Sequence, residues 1–455
     1  MKYFVYLLLL CYGFFYHISS SEFWTVTISK TWLNPANFEF SLLQKPLFGM
    51  FLSLFHLLPL DDVGHLYFVK LIFSIIGIAS VVYYLNAVLM IAKIKPPESV
   101  KALLLVVLLI LSPVLLHNFF RIRTDQVSLL VFSLGLLFSQ KKYYLRSLIC
   151  WALLPLISIK GFIFLIPAGL IMYPDLRVVL KRLSKIQKIY LWLFSLSIFV
   201  WLIGLNIKSI TYLFETFGSI EFPNVFLRNY LFNECLLIIG STAVAISVIW
   251  KNDTELKPFA YASVACTFLI ISMPQSYPYY IASLAPIVYL PLLVKILKSH
   301  RLSNLARIKA VSLTGVQVLF LVASFFYLKP SLYISNFDQL TYISNVSRII
   351  DKHNLNYVDG TGILPRQNFI PCYISPDDEI SNFICRRYLI EKTSDIVIAT
   401  SRLNYFGSDL YNSIEKDYSQ VIPGLWIKNN FRSLIANYQT DLKDPLAAVF
   451  LFGFE

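Results

Sequence analysis

The chain has 455 residues, 57% hydrophobic and only 14% charged, with a net charge of +13. That is more apolar surface than a soluble globular chain needs, and several apolar runs reach bilayer length. The basic residues fall mainly in loops between those runs, where they report orientation in a membrane rather than a nucleic-acid partner.

Eleven membrane segments are expected, at 3–19, 66–92, 102–118, 126–140, 144–158, 161–173, 189–206, 231–250, 258–273, 278–297 and 310–328. Several are shorter than the ~20 residues of a straight span, which implies local thinning or broken helices. The first segment reads as a retained anchor rather than a cleaved signal peptide, because His17 occupies the small-residue position for cleavage after Ser19. With the N-terminus inside, the inner loops carry nineteen Lys and Arg and the outer loops seven. That asymmetry puts the N-terminus in the cytoplasm and the C-terminal tail outside.

The first outer loop, 20–65, follows directly. Glu22 comes just after the first segment, and Gln44-Lys45-Pro46 opens a short amphipathic run. Charges at a membrane boundary are costly unless something uses or pairs them, so this loop reads as the floor of an active site. Residues 144–173 read as two half-length segments. A single helix would hold the Lys160 ammonium at bilayer depth, whereas the split leaves Lys160 and Gly161 at an outer turn.

From Lys329 the composition changes, and the tail holds 12 of the 39 basic residues. Asn356–Asp359, Asp395–Thr400 and Tyr418–Ile427 read as strands, and Asp378–Thr393 and Ser408–Tyr418 carry helical spacing. Asp359-Gly360-Thr361-Gly362 is no dinucleotide fingerprint. The expected fold is a polytopic α-helical membrane protein of about 11 membrane segments with a small extracytoplasmic α/β domain. The division expected is 1–329 for the membrane domain and 330–455 for the tail. Cys372 and Cys385 pair if their compartment is oxidising; spacing alone does not fix the geometry. No CxxC pair or His/Cys cluster indicates a structural metal.

By this topology the outer face collects Glu22, Lys45, His117, Arg121, Arg123, Asp125, Lys160 and Arg228. Glu22 and Asp125 are the candidate catalytic groups, since a carboxylate there can take a proton from an attacking hydroxyl. Lys45, Lys160, Arg123 and Arg121 suit a phosphate, Arg by its planar fork and Lys as a point charge. His117, Tyr279 and Tyr280 are candidates for the wall of the substrate cavity. Each residue also has a plainer reading. Arg121, Lys208 and Arg228 can snorkel to headgroups, Asp125 can cap its helix, and Glu22 and Lys45 can be solvated loop residues.

At these residues the chain resembles the GT-C class of polytopic glycosyltransferases, closest in pattern to the aminoarabinose–lipid A transferases and the protein O-mannosyltransferases. That class carries an acidic motif after the first membrane helix, matched by Ser21-Glu22, and a Glu-Lys-Pro-Pro-like stretch opening an interfacial helix, matched by Gln44-Lys45-Pro46-Leu47. It also carries Arg-x-Asp at the outer start of the fourth helix, here Arg123-Thr124-Asp125, and a Lys after the fifth, here Lys160. The Tyr- and Pro-rich segment Ser276–Val288 is similar to one late in the class's membrane domain. Two positions depart from the pattern: Ser21 stands for the first acid, and Gln44 for the acid beside Lys45. If the missing acid is the catalytic one, Glu22 must substitute.

The resemblance implies inverting transfer of a sugar from a polyprenyl-phosphate-linked donor to a lipid, glycan or protein acceptor, outside the bacterial inner membrane. Lys45, Lys160 and Arg123 would hold the donor phosphate, and Glu22 or Asp125 would act as base. No nucleotide sugar and no nucleic acid is implied. Some members of the class use a divalent cation and others do not, which two separated carboxylates leave open. An O-antigen polymerase or ligase is a second enzymatic reading, and a transporter or flippase of lipid-linked saccharide a third. The transporter would call for inverted repeats or charges deep in several helices, whereas here the charges crowd one face.

Overall fold

The computed structural model describes residues 2–33, 45–94, 121–200, 225–272, 278–299, 336–359, 362–365, 370–371, 394–398, 414–422 and 425–433, apart from positions 17, 19, 191, 194, 199 and 415. The expected segments 102–118 and 310–328, His117, Cys372, Cys385 and the expected helix Asp378–Thr393 lie outside them, as does most of Ser408–Tyr418. The described part is mostly helical. Its contacts divide the chain into two compact units. The first comprises Met1–Leu10, Leu43–Phe48 and Phe73–Leu332; the second comprises Cys11–Leu42, Gly49–Ile72 and Tyr333–Glu455. The division therefore differs from a cut after residue 329. Most of the segment 20–65, expected as the first outer loop, groups with the tail.

In chain order the helices are α1 (Lys2–Phe15), α2 (Ser20–Ile28), α3 (Pro46–Ser53), α4 (Asp62–Ile91), α5 (Thr124–Gln140), α6 (Tyr144–Ile157), α7 (Phe162–Arg182), α8 (Val225–Trp250), α9 (Lys257–Ser272), α10 (Pro278–Ser299) and α11 (Asn336–His353). The described residues between 185 and 200 are also helical. Among the described residues one helix, α4, is long and apolar enough to cross a membrane by length and composition. α6 and α7 are separate elements joined at Ser158–Gly161, and α7 continues to Arg182, past the expected end at 173.

The first unit is a helix bundle in which α9 packs against α7, α8 and α10, and α5 against α6. Its helices exchange a few polar contacts of the kind that fix register where all else is apolar. Ser263 Oγ donates to the Val288 carbonyl (2.7 Å), Tyr84 donates to the Pro286 carbonyl, and Thr242 and Thr267 hydroxyls meet at 3.0 Å. Between α5 and α6, Trp151 Nε1 donates to Phe132 O (3.2 Å) and Ser147 Oγ to Gly135 O (2.7 Å). The outer faces stay apolar: Phe268 is 69% exposed, and Ile186, Ile189, Tyr190 and Trp192 are all more than half exposed.

The second unit contains a five-stranded mixed sheet, β1 (Tyr357–Asp359), β2 (Ile370–Pro371), β3 (Ile396–Ile398), β4 (Tyr418–Ile422) and β5 (Leu425–Lys428), in the order β2-β1-β3-β5-β4. β1 is parallel to β2 and β3, with Val358 opposite Val397, while β5 runs antiparallel to β3 and β4. The single last strand expected over Tyr418–Ile427 is two strands, separated by Pro423-Gly424. A proline lacks the N–H that a ladder needs, so a strand does not run through it. α11 leads into β1: Asn354 has φ 48°, the left-handed conformation that ends many helices, and Leu355 N–H donates to Ile350 O (3.1 Å). The buried positions Leu340, Ile343, Val346 and Ile350 give α11 its apolar face.

Three side chains of α11 bind the N-terminal segments inside this unit. Gln339 brackets Ile18, accepting from its N–H (2.8 Å) and donating to its carbonyl (2.9 Å). Asn336 donates to Phe14 O (2.6 Å), and Ser347 donates to Asp62 Oδ2 (3.0 Å). Beyond α11, Thr27 donates to the Gly362 carbonyl.

Candidate functional site

Four of the expected site residues come together in the first unit. Lys45 immediately precedes Pro46, the first residue of α3, where a proline's missing N–H costs nothing. Its segment is held by Phe48, which is buried and meets Phe73 of α4 edge-on at 5.7 Å between ring centroids. Arg123 is the extended residue capping α5 (φ −136°, ψ 154°), and Asp125 lies in that helix's first turn. Lys160 sits in the 3-10 turn Ile159–Gly161 between α6 and α7.

That turn is tight. Ser158 leaves α6 in an extended conformation, Gly161 N–H donates to Ser158 O (2.7 Å), and a Cβ on Gly161 would run into the backbone carbonyl of Leu154. The sequence signal is the Lys-Gly pair itself: glycine lets the turn close, and closure aims the preceding lysine.

Lys45 and Lys160 keep part of their surface open yet are enclosed by protein. Burial pushes the Lys45 ammonium down to about 8, helped by the charges of Lys160 and Arg123 and opposed by Asp125. Burial likewise pushes Lys160 down to about 8, with Asp125 opposing and Arg123 adding to the effect. Three cations and one carboxylate thus act on one another in one partly dry place. Such a set lowers its own energy by taking up an anion.

Asp125 is not the helix cap. Arg123 holds that position with no side-chain cap hydrogen bond, while Asp125 Oδ1 accepts from Ser283 Oγ of α10 at 3.0 Å. Tyr279 and Tyr280 lie in the first turn of α10, one helical turn before Ser283; their side chains are outside the described residues. Arg121 is buried two residues before Arg123, and its carbonyl accepts from Arg123 N–H (2.9 Å).

Glu22 lies in α2 of the second unit and is fully buried, as is Lys70 of α4, whose Nζ stands 5.4 Å from the centre of the Tyr16 ring. A solvated-loop role for Glu22 is therefore overturned by its burial. Sequence reasoning passed over Lys70, although it lies inside the expected membrane segment 66–92, where a charge is costly unless paired or used. It also passed over Ser283, which helical spacing from Tyr279 would have marked.

Two other groupings in the second unit are structural. His56 and His65 stack at 4.3 Å between centroids, and His56 Nε2 lies 3.1 Å from Ser29 Oγ. This is no nucleophile–base pair. His56 Nε2 is also 2.9 Å from Val26 O, which can only accept, and Ser29 Oγ donates to the same carbonyl (2.6 Å). Both side chains close the end of α2. A cleft of about 500 Å³ is lined by Asp61, Asp62, Ser347, Arg348, Asp351 and Lys352, among others. There Asp61 accepts from Gly64 N–H (2.7 Å) and Asp62 from Ser347.

No group of three or more His, Cys, Asp or Glu among the described residues is placed to hold a metal. No family model, curated protein or solved structure matches the chain.

Proposed function

We propose that the chain is a polytopic membrane glycosyltransferase that moves a sugar from a polyprenyl-phosphate carrier to an acceptor on the extracytoplasmic face of the bacterial inner membrane. The observation that carries this reading is the convergence of Lys45, Arg123 and Lys160 about Asp125. A phosphodiester-linked donor brings one negative charge, and the polyprenyl phosphate that leaves carries up to two. Three cations in one place attract the leaving group more strongly than the donor, which is the condition for accelerating the step.

In the reaction the acceptor oxygen attacks the sugar's anomeric carbon and the bond from that carbon to the phosphate oxygen breaks. Asp125 takes the hydroxyl proton, and the phosphate departs with the electron pair onto the three cations. Glu22, buried in another unit, enters the proposal as a residue to be tested.

Sidedness supports the reading. Residues assigned to the outside by the charge count, Lys45, Arg123, Asp125 and Lys160, influence one another directly. Residues assigned to the inside also meet: Glu255 accepts from Lys93 and, at 3.3 Å, from Lys298. The apolar outer faces of the helices suit a bilayer.

The test is transfer of labelled sugar from membrane-bound carrier, with polyprenyl phosphate binding measured beside it. Asp125→Asn keeps the size of the side chain and removes the base, so transfer should fall about a hundredfold or more while the carrier still binds. Glu22→Gln, run in parallel, tests its share. Parental rates in both folded variants would sink the mechanism. Carrier binding with no transfer in the parent would favour the transporter.

A further inference from the structure

We propose that Ser283 is the positioning residue for Asp125, fixing which carboxylate oxygen faces the acceptor; this rests on the reading of Asp125 as the base. The hydroxyl of Ser283 donates to Asp125 Oδ1 at 3.0 Å, across 158 residues of sequence, and joins the first turn of α5 to α10. Ser283 is 6% exposed, so water does not compete freely for the bond.

The need for such a residue follows from the company Asp125 keeps. Lys45, Lys160 and Arg123 each attract its carboxylate. A closed ion pair with any of them would blunt the base and spend a cation that the phosphate requires. A neutral donor engages one oxygen without adding charge and leaves Oδ2 for the proton. A hydroxyl does this and an ammonium would not. Ser283 also stands one helical turn from Tyr279 and Tyr280, which ties the Tyr-rich start of α10 to the base.

A plain strut between two helices would make the same contact, so the test separates the two roles. The full-length protein in nanodiscs is compared as Ser283→Ala, Ser283→Thr, Asp125→Asn and the Ser283→Ala/Asp125→Asn double variant. Three quantities are read: polyprenyl phosphate affinity, transfer rate, and the Asp125 carboxylate stretch in isotope-edited infrared spectra, assigned by its loss in Asp125→Asn. Positioning predicts that Ser283→Ala shifts the stretch and slows transfer about tenfold or more, the range of a hydrogen bond to a charged group. Affinity should stay within about twofold, since the cations are untouched. Ser283→Thr should restore both rate and band, and the double variant should be no slower than Asp125→Asn alone.

An unshifted band, or a parental rate in Ser283→Ala, overturns the proposal and leaves the glycosyltransferase reading standing. Loss of affinity and thermal stability together with rate, unrelieved by Thr, makes Ser283 a strut and also overturns it. If the parent neither binds polyprenyl phosphate nor transfers sugar, the enzymatic reading falls and takes the positioning role with it.

Discussion

Lys45 and Lys160 sit folded in a state that disfavours their charge. Each has its pKa lowered from 10.5 to about 8, so the unfolded chain binds protons more readily between those values. The destabilising contribution is complete below about pH 8 and is relieved as pH rises from there toward 10.5. Lys45→Met or Lys160→Met is therefore expected to stabilise the ligand-free protein at pH 7 by about 1–2 kcal/mol, allowing for the part of each side chain that water reaches. Anion binding moves the other way. Phosphate affinity should weaken in both variants, and in the parent it should fall as pH rises through 8 and the ammonium groups lose their protons. Thermal unfolding with and without polyprenyl phosphate, from pH 6.5 to 9.5, reads both effects; a variant neither stabilised nor weakened in binding would remove that lysine from the site. These lysines were legible in the sequence because each lies at an expected outer boundary. Ser283 and Lys70 were not picked out: one is an ordinary polar residue in a helix, and the other was absorbed into an apolar run.

The turn between α6 and α7 shows what a single element contributes. Gly161→Ala would drive a methyl group into the Leu154 carbonyl, a backbone atom that cannot swing aside. The expected cost is about 1–3 kcal/mol, with a loss of polyprenyl phosphate affinity as Lys160 moves. Gly169→Ala, also in α7, meets nothing within 4 Å and is the control. It should hold or slightly raise stability, as alanine does inside a helix. If both substitutions behave alike in thermal unfolding and binding, the turn does not aim Lys160. Elements of this kind were partly readable. Lys160 at bilayer depth argued for the break, and β1 and β3 announced themselves as short apolar runs. The closing hairpin was misread because Pro423-Gly424 was passed over. α11 drew no expectation, although its buried positions recur at helical spacing.

Across the whole chain, sidedness is the claim most open to direct test. The charge count assigns the cluster about Asp125 to the outside and Glu255, Lys93 and Lys298 to the inside. A cysteine at the exposed position Lys416 is expected to react with an impermeant reagent in intact cells, and one at exposed Lys251 only after permeabilisation. The reverse pattern would invert the topology and move the phosphate cluster to the cytoplasmic side. Sidedness is read from loop charge alone, which needs no knowledge of packing. The two-unit division was the least legible, because nothing local tells Ile18 that Gln339 will bind it.

That bracket has a consequence in time. Ile18 must wait for a residue synthesised 321 positions later before its backbone groups are satisfied. At ribosomal speeds of about 5–20 residues per second, the interval is on the order of tens of seconds. Throughout it, the start of the chain stands finished but undocked, open to proteases and to early recognition by quality control. A chain ending before Tyr333 should therefore be cleaved in the 18–30 region by limited proteolysis, while the full chain resists. Equal resistance would mean that the early segment folds without waiting for its partner.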